Sequence, residues 1–310
     1  MLEFPLDRRS AILKSFPDSG LAWLDTYSER LEACLDRWQL SITGSVTNGL
    51  PINMIYFVET SSGEARVLKI GHPHPEQKTE ILALRYFNGK YSVPLLDVYR
   101  DAILLDRIFP GSTFRAEYLK TNHQLPAPSL FADLPQPIKN KESKLFPSYS
   151  SWMTKAFLEY RRLSRESDSM SRYLLEAESL YREIDDGNTF LLHGDLHHEN
   201  ILRNIRGGWT AIDPKGVVGP KIMECGRYIH NFMEDILEKE VPEAELKDLI
   251  KIMEKRINRM SEVLSYECRD LAKVAFVDIT LSTCWTINAG ENASSGLQRV
   301  KACYELLDLF

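Results

Sequence analysis

At 310 residues, with 44% hydrophobic and 26% charged positions, the chain is long enough to bury the interior of a two-lobed globular protein. No apolar run approaches the roughly 20 residues that span a bilayer, and the opening MLEFPLDRRSAILKSF lacks the apolar core of a signal peptide, so no membrane partner and a cytoplasmic location are expected. A net charge of -6 without a basic, aromatic-interleaved stripe argues against a nucleic-acid partner, and five cysteines without a C-x-x-C pair argue for reduced, mostly buried thiols over a disulfide or zinc framework.

Leu24, Tyr27, Leu31, Leu35 and Trp38 recur at three- and four-residue spacing and predict an amphipathic helix over 20–37. A strand over 40–44 follows, then the breaker Thr47-Asn48-Gly49-Leu50-Pro51. Strands over 53–59 and 65–70, joined at Thr60-Ser61-Ser62-Gly63, complete a small antiparallel sheet. The third strand ends VLKI, placing Lys69 inside an apolar run, where an ammonium is costly unless it is paired or faces a cleft. The next helix, over 75–87, carries Ile81, Leu84 and Phe87 on one face and Glu80 near its front. Taken alone, Lys69 reads as a surface lysine and Glu80 as an ordinary helix glutamate.

Strands over 91–98 and 101–108 flank Tyr99-Arg100-Asp101, and the second, AILLDRIFPG, fits a strand entering a linker between lobes. Gly111 and the helix-like TFRAEYL open the second lobe. Pro126, Pro128, Pro135, Pro137 and Pro147 with the KNKESK patch predict a long irregular surface connection. Residues 151–184 read as helical, and beyond Pro220 further helices are expected over 223–238, 243–264, 270–289 and 297–307. Strands first and helices second give an α+β architecture, with an N-terminal lobe over 1–110 and a C-terminal lobe over 111–310.

One stretch breaks this order. Residues 190–215, FLLHGDLHHENILRNIRGGWTAIDPK, read as a hairpin with polar groups at its strand ends. The spacing H-G-D-L-H-H-E-N matches the kinase catalytic-loop template, in which the Asp takes or orients the substrate hydroxyl and the Asn binds magnesium. A second Asp, one hairpin later, also binds the metals. These positions are Asp195, Asn200 and Asp213. In the same template a strand Lys holds the ATP phosphates and is held in turn by a Glu on the next helix, which selects Lys69 and Glu80. His193 is expected to brace the backbone. His197 and His198, adjacent on an extended segment, point to opposite faces, one for packing and one for a polar contact. Lys215 either reaches a phosphate or faces solvent.

HGDLHHENIL, WTAIDPKG, VLKI and LLDRIFPG together resemble the aminoglycoside phosphotransferases, and within them the group of streptomycin 6-phosphotransferases and hydroxyurea phosphotransferases. The doubled His after GDL, AIDPKG in place of the protein-kinase D-F-G, and the L-P-A-P stretch at Leu125 to Pro128 carry the narrower similarity, which extends from about Leu24 to Cys303. The resemblance implies a protein-kinase-like fold with an antiparallel-sheet N-lobe and a helical C-lobe. It implies transfer of the ATP γ-phosphoryl group to a small-molecule hydroxyl, with ATP and Mg²⁺ as cofactors. Asp195 is then the catalytic base or hydroxyl-orienting group, Asn200 and Asp213 are magnesium ligands, and Lys69 with Glu80 is the phosphate clamp. The first choice of acceptor is a streptomycin-like aminocyclitol. A cationic acceptor of that kind would be met by carboxylates, for which Glu224, Glu234, Asp235 and Asp278 are candidates, although each of them reads first as part of a solvated helix face.

The chain departs from the group at Glu199, where Gly is frequent, and at Met223-Glu224-Cys225-Gly226-Arg227, where an Asp-containing phrase is common. Both lie close to where an acceptor would bind. The phosphate-covering loop offers only Gly44 and Gly49. The alternatives are a metabolic kinase of a sugar or amino alcohol on the same fold, and a nucleotide-binding regulatory protein of pseudokinase type. The joint presence of Lys69, Glu80, Asp195, Asn200 and Asp213 weighs against the latter.

Overall fold

In the computed structural model, which describes residues 4, 6–46, 52–118, 128–163, 169–185, 187–231 and 246–310, the chain divides into two units, Met1–Phe109 and Pro110–Phe310. The first is built on strands β1 (Leu40–Val46), β2 (Asn53–Thr60), β3 (Ala65–Gly71), β4 (Leu95–Tyr99) and β5 (Ala102–Asp106), antiparallel in the order β1-β2-β3-β5-β4. Two-residue alternation decides which side chains go inward: Met54, Tyr56 and Val58 are buried, while Ile55 and Phe57 between them are half-buried. The buried set joins Ile12, Trp23, Leu24, Tyr27, Leu31 and Cys34 from the helices Leu6–Ser15, Gly20–Asp25 and Tyr27–Trp38 in one core.

The helix expected over 20–37 is two helices. Thr26 separates them, its hydroxyl donating to the carbonyls of Ala22 and Trp23. Leu6–Ser15 has no counterpart in the sequence reading, because the run Asp7-Arg8-Arg9 masks its apolar spacing. Arg8 is nevertheless 4% exposed, and its guanidinium donates to the carbonyls of Val46 and Asn53 at the ends of β1 and β2. At the β4–β5 turn Asp101, 2% exposed, accepts from Trp23 Nε1 at 2.5 Å and Arg30 Nη1 at 3.1 Å, while its carbonyl accepts from Gln77 Nε2 at 2.9 Å. One aspartate thereby ties the leading helices to the helix Pro75–Phe87. That helix starts with Pro at its first turn and ends at Asn88 in the left-handed conformation that commonly closes a helix.

The second unit contains β6 (Pro110–Thr113), β7 (Gln136–Pro137), β8 (Phe190–Leu192), β9 (Ile201–Asn204), β10 (Trp209–Ala211) and β11 (Val217–Gly219), in two three-stranded sheets, β10-β9-β6 and β11-β8-β7. Residues 190–215 are therefore not one hairpin. β9 and β10 pair with each other, but β8 pairs with β11 and β7, and the polar segment 193–200 spans the two sheets. The proline-rich connection is more regular and more buried than the irregular surface loop expected: its described part holds β7 and the helices Pro128–Ala132 and Asn140–Ser143, with Leu130, Phe131, Leu134, Ile138 and Phe146 buried as anchors.

The helix Cys268–Asn288 is buried on nearly every side and is flanked by Tyr149–Leu163, Ser169–Ile184, Gly226–His230 and Ser294–Leu306. Of the helix expected over 223–238, residues 232–238 lie outside the described residues, and the part before them is a 3₁₀ turn, Lys221–Cys225, followed by Gly226–His230, with Asn231 extended. Glu234 and Asp235 lie outside the described residues, as do Gly49, its breaker and residues 125–127 of the L-P-A-P stretch. No described helix is long and apolar enough to cross a membrane. All five cysteines are free, with Cys34, Cys225, Cys284 and Cys303 buried.

Candidate active site

In the first unit, β3 lies between β2 and β5, so Lys69 sits opposite Ile55 on one side and Ile103 on the other. Its Nζ is 2.7 Å from Glu80 Oε1, and the residues are 6% and 7% exposed. Glu80 falls on the buried face of Pro75–Phe87 together with Gln77, Ala83, Leu84 and Phe87, which places its carboxylate against the strand. Burying either charge alone would be prohibitive, and the pairing offsets that cost.

In the second unit, the polar segment begins where β8 ends. His193 is fully buried and serves as its organiser. The Asp195 backbone N–H donates to His193 Nδ1 at 3.2 Å, so Nε2 carries the proton, which it donates to the Ile212 carbonyl at 2.8 Å. The His193 carbonyl accepts the N–H groups of Lys215 and Gly216. Burial lowers the pKa of this imidazole to about 4, keeping the single neutral tautomer those bonds require. Its role is bracing, as the sequence suggested.

Gly194 has φ +79°, and a Cβ there would lie 2.7 Å from Val217 Cγ1 and 3.2 Å from the Trp152 ring. Only glycine turns the chain at this point. Glu224, 2% exposed, accepts the N–H of His193 at 2.6 Å and that of Gly194 at 3.2 Å. Burial raises its pKa to about 7 despite these two donors.

Asp195 keeps 20% of its side chain exposed, with Arg227 Nε 3.6 Å from Oδ1 and His197 Nε2 3.9 Å from Oδ2. Burial alone would raise its pKa; the positive surroundings, led by Arg227, hold it below the ordinary carboxylate value. Asn200 Nδ2 donates to the Asp195 carbonyl at 3.0 Å, which leaves Oδ1 accepting no hydrogen bond from a described residue. The Asn200 carbonyl accepts from Ile212 N, so the residue before Asp213 is bonded to the residue that follows Glu199. Asp213 itself has φ +56°, a strained conformation for a residue with a side chain, of the kind that concentrates at functional sites.

Of the two adjacent histidines, His198 is buried and stacks between Phe114 and Tyr228, with ring centroids 5.4 and 4.5 Å away, and His197 turns toward Asp195. Glu199 pairs with Arg115 at 2.5 Å. Its carboxylate is thus engaged by the helix Phe114–Tyr118.

Sequence reasoning missed the group that surrounds Asp278. This carboxylate, 3% exposed in the middle of Cys268–Asn288, accepts from the Tyr149 hydroxyl, from His230 Nε2 at 2.5 Å, and lies 3.1 Å from Arg227 Nε. Burial would raise its pKa; Arg227 and the two hydrogen bonds bring it down to about 2. Gly226 permits the arrangement, because a Cβ there would be 2.9 Å from Asp278 Cβ and 3.0 Å from the Val274 carbonyl. The signal was an isolated Asp in the apolar run VAFVDITL, the same signal that singled out Lys69. Glu224 and Asp278, expected as carboxylates for a cationic acceptor, are instead buried and committed to protein donors.

Among the described residues no group of three or more His, Cys, Asp or Glu side chains is gathered for a metal. Asn200 Oδ1 and the Asp213 carboxylate are hard oxygen donors, which suit Mg²⁺, an ion held by one or two carboxylates together with substrate phosphates.

A family model described as aminoglycoside/hydroxyurea antibiotic resistance kinase matches residues 37–290. The streptomycin 6-kinase of Streptomyces glaucescens is 24% identical over 94% of this chain and 94% of its own length. Among solved structures, a Plasmodium vivax ethanolamine kinase superposes with a TM-score of 0.60 at 12% identity, over 96% of this chain and 93% of the other. The aminoglycoside phosphotransferase APH(4)-Ia does so with a TM-score of 0.59 at 13% identity, over 91% and 99%. The fold is protein-kinase-like, and the chain belongs to the aminoglycoside/hydroxyurea antibiotic resistance kinase family, as a small-molecule phosphotransferase acting on hydroxyl groups.

Proposed function

We propose that this protein uses ATP and Mg²⁺ to phosphorylate a hydroxyl of a small molecule, with Asp195 as the residue that receives that hydroxyl. The observation that carries the reading is the orientation of Asn200: its amide nitrogen is bound to the Asp195 carbonyl, so its oxygen, the one atom of that side chain able to ligate a hard cation, accepts no hydrogen bond from a described residue, which supports a role as a metal ligand. Asp213 is the second ligand. Magnesium, when bound, screens the charge of the transferring phosphoryl group.

The residues of the chain do the remaining work. Lys69, held by Glu80, binds the ATP phosphates. Asp195 accepts a hydrogen bond from the acceptor hydroxyl and aligns its oxygen with the γ-phosphorus. The new P–O bond forms as the bond to the bridging oxygen breaks, ADP leaves, and the hydroxyl proton passes to Asp195. A carboxylate held below its ordinary pKa is a weak base, which fits a loose transition state in which the hydroxyl loses its proton late. Positioning and charge neutralisation supply most of the rate.

The family description names aminoglycosides and hydroxyurea, and streptomycin 6-kinase is a relative, so an aminocyclitol and hydroxyurea are the first acceptors to try. The test is ADP release with an acceptor panel, followed by mass spectrometry of the product. A gain of one phosphoryl group on an acceptor, dependent on Mg²⁺ and lost in Asp195→Asn, is the expected result. Unchanged turnover in Asp195→Ala would refute the mechanism.

A further inference from the structure

Arg227 belongs to neither the catalytic-loop motif nor the phosphate clamp, yet it lies closer to the Asp195 carboxylate, at 3.6 Å, than His197 does at 3.9 Å. Its Nε is shared between two carboxylates, 3.1 Å from Asp278 Oδ2 and 3.6 Å from Asp195 Oδ1. Asp278 is held in turn by Tyr149 and His230, both nearly fully buried, so the guanidinium is anchored from behind. Both of its ion pairs run through Nε, which meets no described acceptor in hydrogen-bond geometry. The terminal Nη1 and Nη2 groups donate no hydrogen bond to a described residue, and the side chain keeps 15% of its surface exposed.

The surroundings are consistent in charge and shape. The Arg227 guanidinium lies 6.0 Å from the Trp285 ring centroid, and Lys215 Nζ lies 5.8 Å from the same ring. Trp285 meets Trp152 edge-on at 5.3 Å, and Trp152 is the residue that closes on Gly194, next to Asp195. Arg227, next to the Asp195 carboxylate, thus shares an indole with a second cation, and a second indole packs beside it. The carboxylates that would draw in a cationic group are both covered: Asp278 is saturated by protein donors, and Asp195 is faced by Arg227. A cationic group arriving there would meet a guanidinium of like charge, whereas a carbonyl or carboxylate would meet two unused donors.

Resting on the assignment of Asp195 above, we propose that Arg227 is a specificity-determining residue of the acceptor site. Its Nη groups bind a carboxylate or amide carbonyl close to the reacting hydroxyl, and its charge turns away acceptors that carry an ammonium or guanidinium at that place.

The experiment compares the full-length wild type with Arg227→Gln and Arg227→Lys on glycerate, glyceramide, 3-aminopropane-1,2-diol and streptomycin, at saturating Mg-ATP. ADP release, product mass, the KM for ATP and the melting temperature are recorded. The wild type should favour the carboxylate and amide over the two cationic acceptors. Arg227→Gln should lower kcat/KM for the carboxylate and amide by about 10- to 100-fold, the span of a lost charge-assisted bond, chiefly through KM. The loss on the cationic acceptors should be at least about tenfold smaller, so that the wild-type preference narrows or reverses, with the KM for ATP within about twofold. Arg227→Lys should keep the order and recover part of the loss. Equal losses on all acceptors would mean a structural role only and would overturn the proposal. So would a wild-type preference for a cationic acceptor, or no turnover of either the carboxylate or the amide. Insensitivity of turnover to Asp195→Asn would instead bring down the underlying phosphotransfer reading, which separates the two failures.

Discussion

Glu224 receives the backbone N–H groups of His193 and Gly194, so one buried carboxylate sets the height at which the chain leaves β8 and enters the segment that carries Asp195. A carboxylate has two oxygens for two donors; an amide has one. Glu224→Gln should therefore strand one N–H, at a cost of about 1–3 kcal/mol. Expressed in the alignment of Asp195, this should lower kcat by about 10- to 100-fold, with little change in the KM for ATP. Steady-state kinetics decides; a change confined to the KM for ATP would show that Glu224 acts elsewhere.

The buried Lys69–Glu80 pair predicts an asymmetry between single and double variants. Lys69→Met leaves a buried carboxylate uncompensated and should cost about 3–5 kcal/mol of stability. Lys69→Met combined with Glu80→Met removes both charges and should restore most of that loss by denaturant unfolding, while phosphotransfer stays absent in both. Recovery of activity in the double variant would remove the pair from the mechanism.

Gly194→Ala should suffer two separable penalties. The left-handed backbone costs a residue with a side chain about 1–2 kcal/mol, and the new methyl meets Val217 Cγ1 at 2.7 Å. Adding Val217→Ala relieves the contact but not the backbone conformation. Melting temperature should recover only in part in the double variant, and kcat should remain depressed.

The acid side of the stability profile contains two opposing contributions. His193 has a folded pKa of about 4 against an ordinary 6.5. The unfolded chain binds the proton that the native state refuses, so stability is lost as pH falls from 6.5 toward 4. His198 and His230, also kept neutral by burial, add to that loss. Glu224 works the other way: its folded pKa of about 7 lies above the ordinary 4.5, so the native state gains a proton first and acidification between these values stabilises it. His193 and Glu224 each account for about 3 kcal/mol across their windows, at about 1.4 kcal/mol per pH unit. Glu224→Gln should therefore steepen the fall in melting temperature between pH 7 and 5, and His193→Asn should flatten it. Parallel curves for wild type and both variants would contradict these assignments.

What could be read from the sequence was short in range. The alternation of Met54, Tyr56 and Val58, a lysine inside VLKI, and the eight-residue spacing from His193 to Asn200 are all visible within one window, and each depends on one element or one turn. The partners of β8 were not legible in that way. Its register comes from Val217–Gly219 and Gln136–Pro137, and a three-residue strand carries too little pattern to choose between them and a neighbouring hairpin. Asp278 was seen but misplaced. A helix buried on nearly all sides has no polar face for periodicity to reveal, so its one carboxylate looked like surface until Tyr149, Arg227 and His230 arrived from other parts of the chain. Thr26 shows the limit inside a single element, where a side-chain hydroxyl bonded to preceding carbonyls divided a stripe that hydrophobic spacing alone made continuous.

Asp101 has a bearing on how the protein should be cut for experiment. The family match begins at residue 37, after Trp23 and Arg30, the two side chains that bond its carboxylate. A fragment trimmed to that boundary would expose Met54, Tyr56 and Val58 and leave Asp101 without either donor, while Gln77 would still hang from its carbonyl. The span of the family model is thus shorter than the core it belongs to, and Trp23 and Arg30 hold from outside it the aspartate whose carbonyl meets the helix of Glu80.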